Sequence, residues 1–184
     1  MRLKNKVALI TGAAAGLSNE INGIGGATAQ LFGLEGAKVV LADLQEDLGR
    51  RTTEELCDSG TNAIFLKLDV TKEEEWETVV TKTVSTFGEL NILVNNAGIG
   101  GTQMAIEDLS VDSWDTMLAV HAKGTFLGTK HAIPHMRRAG GGAIVNVGSM
   151  YDLVGSPAIA HYHAAKGAIQ AFTKAAAVQH AKDN

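Results

Sequence analysis

The stretch "KVALITGAAAGLSNEINGIGGATAQLF", residues 6–32, decides the fold. It opens with an apolar run at residues 7–10, breaks at Thr11-Gly12 into a turn rich in glycine and alanine, and closes on the helical pattern "GATAQLF". A strand that leads through glycines into a helix is where a pyrophosphate sits in dinucleotide-binding sheets. Glycine lets the backbone approach the phosphates, and the helix N-terminus supplies free N–H groups and a favourable dipole. The pattern starts twice, however: "TGAAAG" begins the turn, "LSNEING" interrupts it and "IGGATA" resumes it. Taken alone, a glycine-rich turn also describes an ordinary strand-to-helix connection.

Working outward, "AKVVLAD", "EDLGRRTTEELCDS", "NAIFLKLDV", "KEEEWETVVTKTVSTFG" and "LNILVNNAG" continue an alternation of short β-branched runs and longer amphipathic stretches. The order is β-α-β-α-β-α-β. Residues 7–10, 39–41 and 92–94 are continuously apolar, as parallel strands covered by helices on both faces require. Beyond a loop rich in glycine and threonine, residues 111–136 predict a long helix, "GGAIVNVGS" at 141–149 a fifth strand, and 159–182 a last helix. The fold class expected is α/β, a doubly wound parallel sheet of the Rossmann type.

Composition narrows the function classes. The 184 residues are 45% hydrophobic with two prolines, enough to bury a core within one domain. A formal charge of −4, with Lys and Arg scattered, leaves no basic stripe for nucleic acid or an anionic membrane. No apolar run reaches the ~20 residues of a bilayer span. Cys57 is the sole cysteine and cannot close an internal disulfide, and "MRLKNKVALITG" enters a strand without a signal-peptide hydrophobic region. Both features predict a cytoplasmic protein.

Two constellations carry chemistry. Asp43 ends the second strand, 18 residues beyond Gly25, near the spacing of about 20 at which an acid reaches a dinucleotide ribose. It could also cap the helix that "DLQED" opens. A carboxylate there repels the extra phosphate of NADP, and no Arg or Lys in the turn or just after Asp43 offsets it, so NAD is the cofactor expected. Further on, Ser149 follows the fifth strand, Tyr162 comes thirteen positions later, and Lys166 stands at i+4 from Tyr162 on the same helix face. A nearby ammonium favours a phenolate, which suits Tyr162 to exchange a proton with an alcohol or ketone. Ser149 would hydrogen-bond the same oxygen while a nicotinamide carries the hydride.

"TGAAAG", "LDV", "NNAG" and the Ser149/Tyr162/Lys166 set, in that order, resemble the short-chain dehydrogenase/reductase family over nearly the whole chain. The resemblance implies one NAD(P)-binding Rossmann-type domain over residues 1–184, with strand order 3-2-1-4-5-6-7. Gly12 and Gly25 would be the first and third glycines of the cofactor turn, with Ile24 beside them and either Gly16 or Gly23 as the middle one. By the same likeness Asp69 and Val70 would lie beside the adenine, and Asn96, Ala97 and Gly98 along the inner ribose. Lys166 would hold the nicotinamide ribose next to Tyr162, and the helices at 111–136 and 159–182 would pair in a homo-oligomer, a dimer or tetramer.

Three departures stand out. Seven residues, "LSNEING", separate Gly16 from Ile24, so the reading is one site with an insertion in its phosphate loop. His121 in "VHAKGTF" replaces the family's usual Asn, which anchors a proton-relay water; histidine bonds water too, but titrates near neutrality. The chain given stops in "AVQHAKDN" where the family begins a sixth strand, so about five of seven strands are expected and the domain is incomplete at its C-terminal side. The expected function is therefore an oxidoreductase acting on a small secondary alcohol or ketone, the alternative being a non-enzymatic dinucleotide-binding or oligomerising derivative. Met150, Leu153, Val154 and Ile159 hint at a partly apolar substrate. His131/His135 and His161/His163 have spacings that could suggest a metal, but no Cys or acidic cluster completes them, so they are read as surface histidines and no metal is expected. "KEEEW" reads as a solvated first helical turn.

Overall fold

Residues 1–15 and 23–184 are described by a computed structural model. The chain runs β1 (Val7–Thr11), α1 (Ile24–Leu34), β2 (Lys38–Asp43), α2 (Glu46–Asp58), β3 (Ala63–Lys67), α3 (Glu73–Phe87) and β4 (Ile92–Asn95). It continues through α4 (Val111–Leu118), a π-helical segment (Ala119–Lys123), α5 (Gly124–Arg138), β5 (Ala143–Asn146) and α6 (Ala160–His180). The five strands pair in parallel in the order β3-β2-β1-β4-β5. The chain thus winds outward from β1 in one direction and then, after β3, in the other. The crevice at such a reversal, outside the carboxyl ends of the strands, is where α/β sheets bind ligands.

The apolar runs follow from burial on both faces. Strand side chains alternate, so Leu9, Val40 and Leu93 enter one core with Trp76 of α3 and Leu127 and Met136 of α5. Ala8, Ile10, Val39, Leu41, Ile92 and Val94 enter the other with Ala29 of α1 and Leu56 of α2. All five residues of β1 are buried, as expected for a central strand.

The structure refines two expected elements. The helix expected at 111–136 extends to Arg138 but is not uniformly α: residues 119–123 open into a π turn that carries His121, and Pro134 sits inside α5. Such π turns inside helices are frequent at functional sites. The fifth strand, expected over 141–149, is only four residues long: Gly141, with φ of +132°, lies outside strand geometry at its start, and residues 147–149 have left the strand at its end. It lies at one end of the sheet, and its Val145 is exposed.

Candidate active site and cofactor cleft

A cleft of about 870 Å³ opens at the carboxyl ends of β1, β2, β4 and β5. At its centre the chain leaves β1 through Gly12, whose φ is +65°; a Cβ there would come within 2.8 Å of Ala97 Cα, so position 12 requires glycine on both counts. A Cβ on Gly25 would overlap the Gly12 carbonyl oxygen, and one on Gly26 the Ala15 carbonyl oxygen. The first turn of α1 is thereby seated directly on the turn after β1. Its leading N–H groups, which have no partner within a helix, stand beside the cleft with Gly23 and Ile24 in the lining. Gly16 and residues 17–22 of the insertion lie outside the described residues; only its last member, Gly23, is placed, as the N-cap of α1.

Asp43 closes β2 and faces the same cleft. Its Oδ2 accepts from the Ala14 N–H at 3.0 Å and its Oδ1 from the Gln45 N–H at 3.1 Å. The cap reading therefore needs correction: Gln45, not Asp43, is the N-cap of α2, and Asp43 bonds that residue's N–H from two positions upstream. Asp69 and Val70, after β3, also line the cleft. Asp69 Oδ1 accepts from the Thr71 N–H and hydroxyl, at 2.9 and 2.7 Å. The Asp69 N–H donates to Glu75 at 2.7 Å, and the Val70 carbonyl accepts from the Trp76 indole at 2.9 Å. "KEEEW" is thus more than a solvated turn: Glu75 and the buried Trp76 hold the "LDV" segment in place.

Between them, β1 and β4 are joined by a polar node. The Thr11 hydroxyl accepts from the N–H groups of Asn96 and Ala97, each at 3.0 Å, and Asn96 Nδ2 donates to the Thr11 and Gly12 carbonyls at 2.9 and 3.0 Å. Asn96, Ala97 and Gly98 all line the cleft, with the Asn96 amide committed to the backbone.

The far end is built from β5, α6 and the π turn. Ser149 Oγ accepts from the Tyr151 N–H at 3.2 Å and caps a short 3₁₀ turn at 150–152, while the Ser149 N–H donates to Asp152. Tyr162 lies in the first turn of α6 and Lys166 one turn later. Lys166 is buried; its Nζ lies 5.5 Å from the centroid of the Tyr162 ring and donates to the Val147 carbonyl at 2.7 Å. Burial holds its ammonium below the usual lysine range, partly opposed by Asp152. Ser149, Tyr162 and Lys166 line one cleft together with Gly12 and Asp43.

His121 completes this end. It is buried, its ring meets that of Tyr162 edge-on at 5.4 Å between centroids, and Nε2 lies 3.1 Å from the Ile99 nitrogen and 3.0 Å from the Ile99 oxygen. One imidazole nitrogen serves only one of these at a time, so the tautomer selects which. Nδ1 is buried without a hydrogen-bond partner among the described residues. Burial is the main cause that lowers the His121 pKa, the Lys166 charge adds to it, and the Ile99 bond opposes it.

The glycine cradle, the Asp43 carboxylate at a strand end and the leading N–H groups of α1 fit a dinucleotide. Sequence reading missed Thr11 and Gly26, although "ITG" and "IGG" carried the signal, and it missed Tyr151, whose ring flanks that of Tyr162 at 6.1 Å. The histidines read as surface residues are not: His161 is 1% exposed, and His131, His135 and His163 are half-buried, because α5 and α6 pack on neighbouring elements along those faces. Among the described residues no group of three or more His, Cys, Asp or Glu could hold a metal ion.

The sequence model for the family described as short chain dehydrogenase matches residues 6–184, and the chain belongs to that family. It is 42% identical over 183 residues to a cyclopentanol dehydrogenase of Comamonas testosteroni, covering all of this chain and 70% of the relative. It is 40% identical over 181 residues to a 2,5-dichloro-2,5-cyclohexadiene-1,4-diol dehydrogenase of Sphingobium indicum, covering 97% and 68%. A trans-4-hydroxycyclohexanecarboxylate dehydrogenase of Sinomonas cyclohexanicum is 43% identical over 183 residues, covering 96% and 67%. The chain is thus an oxidoreductase of a family whose dehydrogenases use nicotinamide cofactors. No described helix is long and apolar enough to cross a membrane.

Proposed function

We propose that the protein interconverts a secondary alcohol on a small ring and the corresponding ketone, with NAD(H) as the redox partner. The observation that carries this reading is that the residues suited to a dinucleotide and the Ser/Tyr/Lys set line a single cleft. Ring alcohols are favoured because three relatives at 40–43% identity are named for such substrates.

When bound, the nicotinamide supplies or accepts the hydride. Gly12, Gly23, Ile24 and Gly25 would hold the pyrophosphate. Gly16 belongs to the same proposal from sequence alone. Asp43 would bond the adenosine ribose, Asp69 and Val70 border the adenine, and Asn96, Ala97, Gly98, Tyr162 and Lys166 border the nicotinamide ribose. A carboxylate carries about four acceptor sites; two at Asp43 are taken by backbone N–H groups, which leaves two for ribose hydroxyls. Its charge opposes a 2′-phosphate, and among the described lining residues the one Lys or Arg is Lys166, at the other end.

Tyr162 exchanges the proton with the substrate oxygen. Ser149 Oγ already accepts from Tyr151, so its own hydroxyl hydrogen is available to that oxygen. Lys166, fixed by the Val147 carbonyl, places a positive charge beside the Tyr162 ring. His121, whose charged form burial disfavours, meets the Tyr162 ring edge-on and would take part in a proton relay there. A homo-oligomer is supported by exposed Phe126 of α5, which meets Phe172 of α6 edge-on at 6.2 Å, and by exposed Val178 of α6.

The test is fluorescence titration with NADH and NADPH followed by a panel of alcohols and ketones, on the parent and on Tyr162→Phe. NADH should bind more tightly than NADPH, ring ketones should be reduced, and Tyr162→Phe should lower kcat by about 10²-fold or more while leaving NADH affinity within twofold. Normal turnover by the Phe variant would remove Tyr162 from the chemistry.

A further inference from the structure

The geometry points to Ile159 as the residue that sets substrate shape, a reading that rests on the ring-alcohol proposal above. Ile159 immediately precedes α6 with φ +59° and ψ +40°, the left-handed conformation. A β-branched side chain is a genuine outlier there, since its Cβ crowds the following carbonyl; glycine or asparagine takes the same position readily. Such conformations persist where the surroundings hold them and cluster at ligand clamps.

Two features hold this one. The Ile159 carbonyl accepts from the Tyr162 N–H at 2.9 Å, the His163 N–H at 3.2 Å and His163 Nδ1 at 3.0 Å, so the left-handed turn sets where α6, and with it Tyr162, begins. The side chain lines the cleft beside Tyr162 and packs against Gly101, where a Cβ would come within 3.0 Å of Ile159 Cγ2. The pairing of a strained isoleucine with a glycine shapes an apolar wall next to the proton-exchanging phenol. Starting α6 needs only a residue tolerant of positive φ, which isoleucine is not. The side chain is therefore kept for what it presents to the cleft: a surface on which the ring of a cyclic alcohol packs while its oxygen faces Tyr162.

Two variants separate the wall from the turn. Ile159→Gly removes both wall and strain; Ile159→Ala removes the wall but keeps a Cβ in the left-handed turn. Thermal midpoints, NADH affinity, kcat and KM for cyclohexanol and 2-butanol, and cyclohexanone binding with NAD⁺ present, where no hydride is available, are measured for each. Both variants should keep NADH affinity and should lose about tenfold in the ratio of kcat/KM for cyclohexanol over 2-butanol, at the low end of what lost apolar contacts cost in such pockets. KM should carry most of the change, cyclohexanone binding should weaken in parallel, and the Gly variant should melt above the Ala variant. Ring selectivity and cyclohexanone binding within twofold of the parent in both variants would overturn the assignment. A parent that binds cyclohexanone with NAD⁺ but turns over no alcohol would overturn the catalytic reading instead and leave the wall standing. A parent that does neither overturns both.

Discussion

Replacing Asp43 with alanine tests the cofactor end of the cleft through two independent readouts. The carboxylate is the acceptor for the Ala14 and Gln45 N–H groups, at 3.0 and 3.1 Å. Gln45 is exposed, and its N–H recovers a water partner at little cost. Ala14 is 0% exposed, so its N–H would be stranded, a loss of about 1–3 kcal/mol. The Thr52 hydroxyl, which donates to the Ala14 carbonyl at 2.7 Å, tethers the loop from the other side and hinders relaxation toward water. A net destabilisation of about 2 kcal/mol lowers the thermal midpoint by roughly 4–8 °C in a chain of this size. Asp43→Asn keeps one acceptor oxygen and should lose about half as much. In binding, the loss of charge-assisted bonds to ribose, about 1.5–3 kcal/mol, weakens NADH by roughly 10–100-fold. NADPH should weaken less, since a repulsion disappears with the carboxylate, and adding Leu44→Arg should move the preference toward NADP(H). Scanning fluorimetry without cofactor isolates the first effect, and NADH and NADPH titration the second. An unchanged melting temperature would refute the stranded-amide argument; an unchanged ratio of the two affinities would refute the ribose assignment.

His121 has its pKa held below the ordinary histidine value of 6.5, so between the two values the unfolded chain takes up a proton that the folded one refuses. Stability should fall as pH drops below about 6.5 and level off beneath the folded value. His135 is shifted the same way, so the test is a difference: the melting temperature of His121→Asn should fall less between pH 7.5 and 5.5 than that of the parent, and its pH–rate profile should change more than its NADH affinity. Equal pH slopes and profiles would take His121 out of the relay. Gly25→Ala should push α1 off the Gly12 carbonyl, lowering NADH affinity by about tenfold or more, whereas Gly167→Ala in α6, where a Cβ meets nothing within 4 Å, should leave binding unchanged and stabilise by up to about 1 kcal/mol. Parent-like NADH affinity in Gly25→Ala would mean that this seating does not shape the site.

The sheet was legible because its strands are buried on both faces, and continuous apolar runs such as "VALI" and "ILV" have few other uses in a chain that alternates them with amphipathic stretches. The placement of Tyr162 and Lys166 together was legible for a related reason: i+4 spacing puts two side chains on one helix face whatever the helix packs against. The strand-to-helix turn was recognisable from its glycines, yet the insertion left the count ambiguous. What singles out Gly25 and Gly26 is that Cβ atoms there would run into the carbonyls of Gly12 and Ala15, contacts made across the turn.

The misread features depend on partners outside their own helical turn, whether six residues away or far along the chain. Beside its expected place at a ribose, Asp43 could also have capped the next helix, but one of its oxygens reaches back 29 residues to Ala14. "KEEEW" looked solvated, but Glu75 and Trp76 turn toward Asp69 and Val70. Histidines at polar-looking spacings were expected at the surface, and His161 is buried by packing around α6. The left-handed turn at Ile159 contradicts its residue type, so no local rule could have found it. Residue order specified the elements, the α/β alternation that pairs the strands in parallel, and the shared helix face of Tyr162 and Lys166, because period and spacing are local properties of the chain. Which oxygen satisfies which buried N–H, and which strained turn aims Tyr162, depended on the packing of segments far apart in sequence, because hydrogen bonding and steric exclusion act through space.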